Sequence, residues 1–96
     1  VLPVCETLTG STVTIHPGGV YECRQDTSYT LNIAGYAGCY GDAEIIIERP
    51  TGVTITSGQG LTLIDTPAEG KESYCLVKFN GNIARLFVLR ALDITG

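Results

Sequence analysis

Tryptophan and methionine are absent from the 96 residues, and histidine occurs once, as His16. Charge is scarce as well: charged residues make up 17% of the chain, against roughly 25% in a typical domain. The basic residues stand singly, at Arg24, Arg49, Lys71, Lys78, Arg85 and Arg90, and the net charge is −4. With no basic stripe to follow a phosphate backbone, a nucleic-acid partner is not expected. No apolar run reaches the roughly 18 residues of a membrane-spanning helix, so no such segment is expected. C-x-x-C pairs are missing, and with a single histidine the chain lacks the close ligand pairs of a metal site. The Ser57 segment has neither a nucleophile elbow nor the G-K-[ST] ending of a phosphate loop. No metal, cofactor or catalytic residue is expected.

The apolar content, 44%, is too high for a disordered chain, and the length suits a single domain over residues 1–96. The chain opens on Val1 rather than methionine and shows no signal peptide, which fits a processed or trimmed product. Low charge also implies a surface with many uncharged residues, part of it covered by a partner or rich in threonine.

Four cysteines, Cys5, Cys23, Cys39 and Cys75, stand far apart along the chain. An even, widely spaced set in a short chain suggests two disulfides and an oxidising, extracellular or cell-surface location. Three pairings are possible. We favour Cys5–Cys23 with Cys39–Cys75, since the first closes a local loop around the opening strand.

Periodicity points to an all-β chain. Ser11–His16 alternates, with Val13 and Ile15 on one face and Thr12 and Thr14 on the other. Leu31–Gly35 (LNIAG), Val53–Gly58 (VTITSG) and Val77–Gly81 (VKFNG) share one closing pattern, and their glycines, Gly35, Gly58 and Gly81, are evenly spaced. A fixed period of this length marks stacked coils. In such a stack Leu31, Val53 and Cys75 would form one interior ladder, and Ile33, Ile55 and Val77 another. Glu44–Glu48 (EIIIE) is a strand bracketed by charge. Thr66–Ser73 is the longest polar loop and is expected to project. Arg85–Leu92 (RLFVLRAL) is expected to be a strand covered on both sides. A β-sandwich is the alternative, but Asn80-Gly81 is the one strong hairpin dipeptide present.

Leu61–Asp65 (LTLID), Leu76–Gly81 (LVKFNG) and Leu89–Gly96 (LRALDITG) resemble the repeats of secreted pectate-lyase-like proteins, and Thr12–Glu22 (TVTIHPGGVYE) is similar to their opening coil. The resemblance implies a short right-handed parallel β-helix with coils of about 22–23 residues, and secretion. It matches no catalytic carboxylate, arginine or lysine of those enzymes onto this chain.

Individual residues give three further candidates. Asp42, Glu44, Glu48 and Asp65 are the acids available for a carboxylate pair or a weak calcium site. Thr12, Thr14, Thr54, Thr56, Thr62 and Thr95 point outward, without a T-x-T column over successive coils. Tyr36 and Tyr40 share a Gly-rich loop and are the candidate sugar-stacking pair of an extracellular carbohydrate-binding module. A coil stack also exposes its ends. The leading expectation is therefore a secreted, non-enzymatic structural protein that self-associates into an oligomer or filament, as in a surface layer. Phe87, Leu89, Leu92 and Ile94 of the last coil would meet Val13 and Ile15 of the first coil of another copy. A fragment of a longer polysaccharide-degrading enzyme is a further alternative.

Overall fold

The computed structural model describes residues 4–94. Nine strands account for its regular structure: β1 (Glu6–Thr7), β2 (Thr12–Ile15), β3 (Val20–Cys23), β4 (Tyr29–Ile33), β5 (Tyr40–Arg49), β6 (Ile55–Ser57), β7 (Leu61–Leu63), β8 (Lys71–Asn80) and β9 (Ala84–Asp93). The chain is all-β, with no helix among the described residues, and so none long and apolar enough to cross a membrane.

Strands alternate between two sheets. Odd-numbered β1, β3 and β5 pair in parallel, and even-numbered β2, β4 and β6 do the same. Alternating side chains explain why these segments fold this way. Val13 and Ile15 of β2, Leu31 and Ile33 of β4, and Tyr21 and Cys23 of β3 enter one shared core, while the residues between them face out. The EIIIE run follows the same rule: Ile45 and Ile47 are buried and Ile46 is half-buried on the outer face.

From β8 onward the parallel stacking stops. β8 runs antiparallel to β5 along its whole length, from Tyr40 opposite Asn80 to Arg49 opposite Lys71. The reason lies in where the chain returns. It leaves β5 at Arg49, makes β6 and β7, and comes back at Lys71 beside the same end, so β8 runs in reverse. A hairpin then leads into β9, also antiparallel. Its turn is the Asn80-Gly81 dipeptide. Asn80 Oδ1 accepts the amides of Asn82 (3.1 Å) and Ile83 (2.9 Å), and Gly81 holds φ +91°, where a side chain would strain the backbone. The larger sheet reads β1-β3-β5-β8-β9-β7, and the smaller β2-β4-β6.

Several sequence expectations are corrected here. The interior ladders differ from those a uniform coil length gives. Val13 faces Leu31 and then Ser57, Ile15 faces Ile33, and Ile55 faces Tyr29. Coil lengths vary: the step from Thr12 to its partner Thr30 is much shorter than the step from Tyr29 to its partner Ile55. The glycine spacing survives in one pair, β7 with β9, where Leu61 meets Ala84. Cys75 and Val77 face Ile45 and Ala43 of antiparallel β5. Thr66–Ser73 does not project as a whole. Pro67 is fully buried, Ser73 lies within β8, and Arg49 donates to the carbonyls of Val53 and Pro67.

The expected disulfides are not formed: all four cysteines are free. Glu6 pairs with Tyr21, so Cys5 sits at the level of Val20, three positions before Cys23. That is about 10 Å along the strand, beyond the roughly 7 Å that a bridge spans between Cα atoms. Cys75 pairs with Ile45, six positions after Cys39, about 20 Å at strand rise.

Candidate functional site

The core offers little chemistry. Burial pushes the Cys75 thiol up to about 12, with the Asp65 carboxylate adding to the shift, and burial also raises Cys23. Neither is an activated nucleophile at neutral pH. Tyr29 enters the same region. Burial, then the neighbouring Cys23 thiol, pushes its phenol well up, yet the hydroxyl has no well-formed hydrogen bond. Ser73 Oγ is likewise buried without a partner.

The candidate acids are dispersed, and all but exposed Glu44 are engaged. Asp42 pairs with Lys78 at 2.7 Å. Asp65 Oδ2 accepts the Val88 amide at 3.0 Å. Glu48 belongs to a network around Arg24, whose guanidinium meets Glu22 (2.7 Å), Glu48 (2.8 Å) and Glu72 (2.6 Å). The network follows from register, since Cys23 pairs with Ile47 and Glu48 with Glu72. Arg24 therefore lands beside two carboxylates on the outer face of three adjacent strands. It holds Glu22 and Glu72 below the usual glutamate range. Among the described residues, no group of three or more His, Cys, Asp and Glu side chains is placed to hold a metal ion. His16 is exposed, and its amide donates to the Tyr21 hydroxyl at 2.9 Å. Ser57 is exposed in β6.

The tyrosine pair is put to structural use. The Tyr36 ring is half-buried over Gly60, where an added Cβ would lie 2.8 Å from its hydroxyl. Tyr40 covers Gly81 in the same way, although 77% of it stays exposed. Each aromatic shields a glycine that has no side chain of its own to pack. The two rings cover different glycines. The threonines do line up. Thr12, Thr30 and Thr56 form a row across β2, β4 and β6. Unequal coil lengths hid this row from the sequence. Thr95 lies outside the described residues.

The expected docking residues divide sharply. Val13 and Ile15 are 3% and 0% exposed, so they belong to the core and present nothing to another copy. On β9 the reverse holds. β7 covers only Ala84–Leu86, and past it no described strand flanks β9 on the side away from β8. Phe87 is half-buried, Leu89 is 67% exposed, Leu92 is 42% exposed and Ile94 is half-buried. The segment is a strand, as expected, but its outer lane is bare. A bulge contributes. Val88 faces Cys75 and Arg90 faces Tyr74, so Leu89 is the extra residue. Leu89 borders a shallow groove of about 120 Å³ with Val20, Glu44, Ile46 and Tyr74.

Backbone direction along this edge can be read from both ends. The amides of Ala84 and Val88 donate away from β8, to Gly60 and Asp65, while the Ile94 amide donates to Gly70 at the start of β8. Alternation on the far side of the bulge then turns Arg90 and Leu92 toward β8, and Ala91 and Asp93 outward. Among the described residues, no strand takes the N–H and C=O groups of those two in the lane where another strand would lie.

No protein-family model, curated protein or solved structure matches this chain.

Proposed function

We propose that this chain is a non-enzymatic structural protein whose copies join edge to edge through β9. The observation that carries the reading is the lane along Leu89–Asp93, where no described strand pairs with the Ala91 and Asp93 main-chain groups and Leu89 and Leu92 are exposed beside them. An open strand edge of this kind is a template for another strand. The edge carries one charge of each sign, Arg90 and Asp93, so an approaching copy of it is not repelled by a like-charged stripe. The engagement of Asp42, Glu48 and Asp65 and the raised pKa values of Cys23 and Cys75 support a structural role over a catalytic one.

Docking of the last coil onto the first coil of another copy is not part of this reading, because β8 occupies the free side of β5. A short right-handed parallel β-helix is the reading we keep for β1 to β6. It is supported by their parallel pairing to the strand two places on, and β8 marks where it ends.

Sedimentation velocity over a concentration series tests the proposal, with Ala91→Pro beside the wild type. Proline at 91 removes an amide that makes no internal bond, so the fold is retained while the edge loses a donor and gains a steric block. The wild type is expected to shift to faster sedimentation with concentration, and the variant to associate at least tenfold more weakly with an unchanged circular dichroism spectrum. A wild type that stays monomeric at every soluble concentration, or a variant that associates equally well, contradicts the reading.

A further inference from the structure

β7 does not stop at a neutral place. The amides of Ile64 (3.0 Å) and Asp65 (3.3 Å) both reach the Leu86 carbonyl, so the parallel ladder ends there with one acceptor shared by two donors. The chain then turns away toward buried Pro67. The next outward-facing amide of β9 is that of Val88, and no main-chain carbonyl takes it. Asp65 Oδ2 does, at 3.0 Å. A side-chain carboxylate thus fills the position that the next residue of a flanking strand would occupy.

We infer that Asp65 is a stop that limits strand addition on β9. With the Val88 amide taken, the next outward-facing amides for an incoming strand are those of Ala91 and Asp93, beyond the bulge. Ile64, 49% exposed at the end of β7, flanks the same lane and makes its uncapped form more adhesive. The contact therefore keeps the β9 edge short, and self-association weak and reversible. This inference rests on the proposed β9 edge and concerns its regulation.

Two substitutions separate the parts of the claim. Asp65→Ala removes the acceptor and frees the Val88 amide. One further main-chain hydrogen bond to a partner strand gives roughly two- to tenfold tighter association. Asp65→Asn retains a side-chain oxygen for Val88, and its association stays near that of the wild type. Amide hydrogen exchange gives a readout independent of assembly. At low concentration Val88 is protected in the wild type and in Asp65→Asn and exchanges fast in Asp65→Ala, and at high concentration the Asp65→Ala amide becomes protected again. If Asp65→Ala associates no more tightly than a wild type that does associate, the stop is refuted and the docking edge stands. If Asp65→Asn tightens association as much as Asp65→Ala, charge alone is responsible and the stop is again refuted. If no form associates, the docking edge itself falls, and the stop with it.

Discussion

A Cβ placed on Gly19 would lie 2.4 Å from the Tyr21 ring. Tyr21 has no room to yield, since it is buried and its hydroxyl accepts the His16 amide at 2.9 Å. Gly19→Ala is therefore expected to destabilise the fold by about 1–3 kcal/mol, the usual cost of overpacking, read as a lower urea midpoint at unchanged slope. A midpoint within error of the wild type would show that the ring is free to move. Close approaches of this kind, like Tyr36 over Gly60 and Tyr40 over Gly81, were not legible in the sequence. The sequence put both tyrosines in one Gly-rich loop and so suggested a shared ligand, whereas Tyr40 opens β5. What the sequence lacks is the distance between a ring and a glycine many residues away. The cysteines misled for a related reason. Their number and spacing are those of a bridged domain, but register leaves each expected pair too far apart.

At the scale of strands, alternation was a reliable guide and spacing was not. Thr12–Ile15 and Tyr29–Ile33 alternate in the sequence and do so in the structure. The even glycine spacing suggested equal coils, whereas the smaller sheet steps from Thr12 to Thr30 and then, over a longer coil, from Thr30 to Thr56. Turns absorb the difference, so a regular glycine count need not mean a regular stack. The hairpin from β8 into β9 was signalled by Asn80-Gly81, the one hairpin dipeptide, and the repeat pattern that includes the same glycine outweighed it. Register also builds the Arg24 network, which ties β3, β5 and β8 together on their outer face. Glu22 and Glu72 are held below their ordinary range by Arg24, and Asp93 below its own by Lys71. A carboxylate whose folded pKa is depressed stabilises the fold above its unfolded pKa and loses that contribution as pH falls through the folded value. The thermal midpoint is thus expected to fall as pH drops below the ordinary glutamate range, and Arg24→Ala to flatten part of that dependence. An equally steep profile in Arg24→Ala would mean that the carboxylates act through other partners. All these groups are solvent-facing, so the effect is modest and shrinks with added salt.

The whole molecule measures 41 × 33 × 22 Å, a flattened body of two sheets around one core. β8 and β9 cover the free side of β5 and leave part of β9 without a described strand on its far side. Across the molecule the net charge of −4 opposes association at low salt, so moderate ionic strength favours it. The most direct measurement is residue-resolved amide hydrogen exchange on the wild-type chain from dilute to concentrated solution. Arg90 and Leu92 should be protected at every concentration by their bonds to β8, while Ala91 and Asp93 exchange fast when dilute and slow down together as concentration rises. Ala91 and Asp93 amides that exchange at one constant rate throughout, whether fast or slow, would contradict an open β9 edge that takes up a second copy.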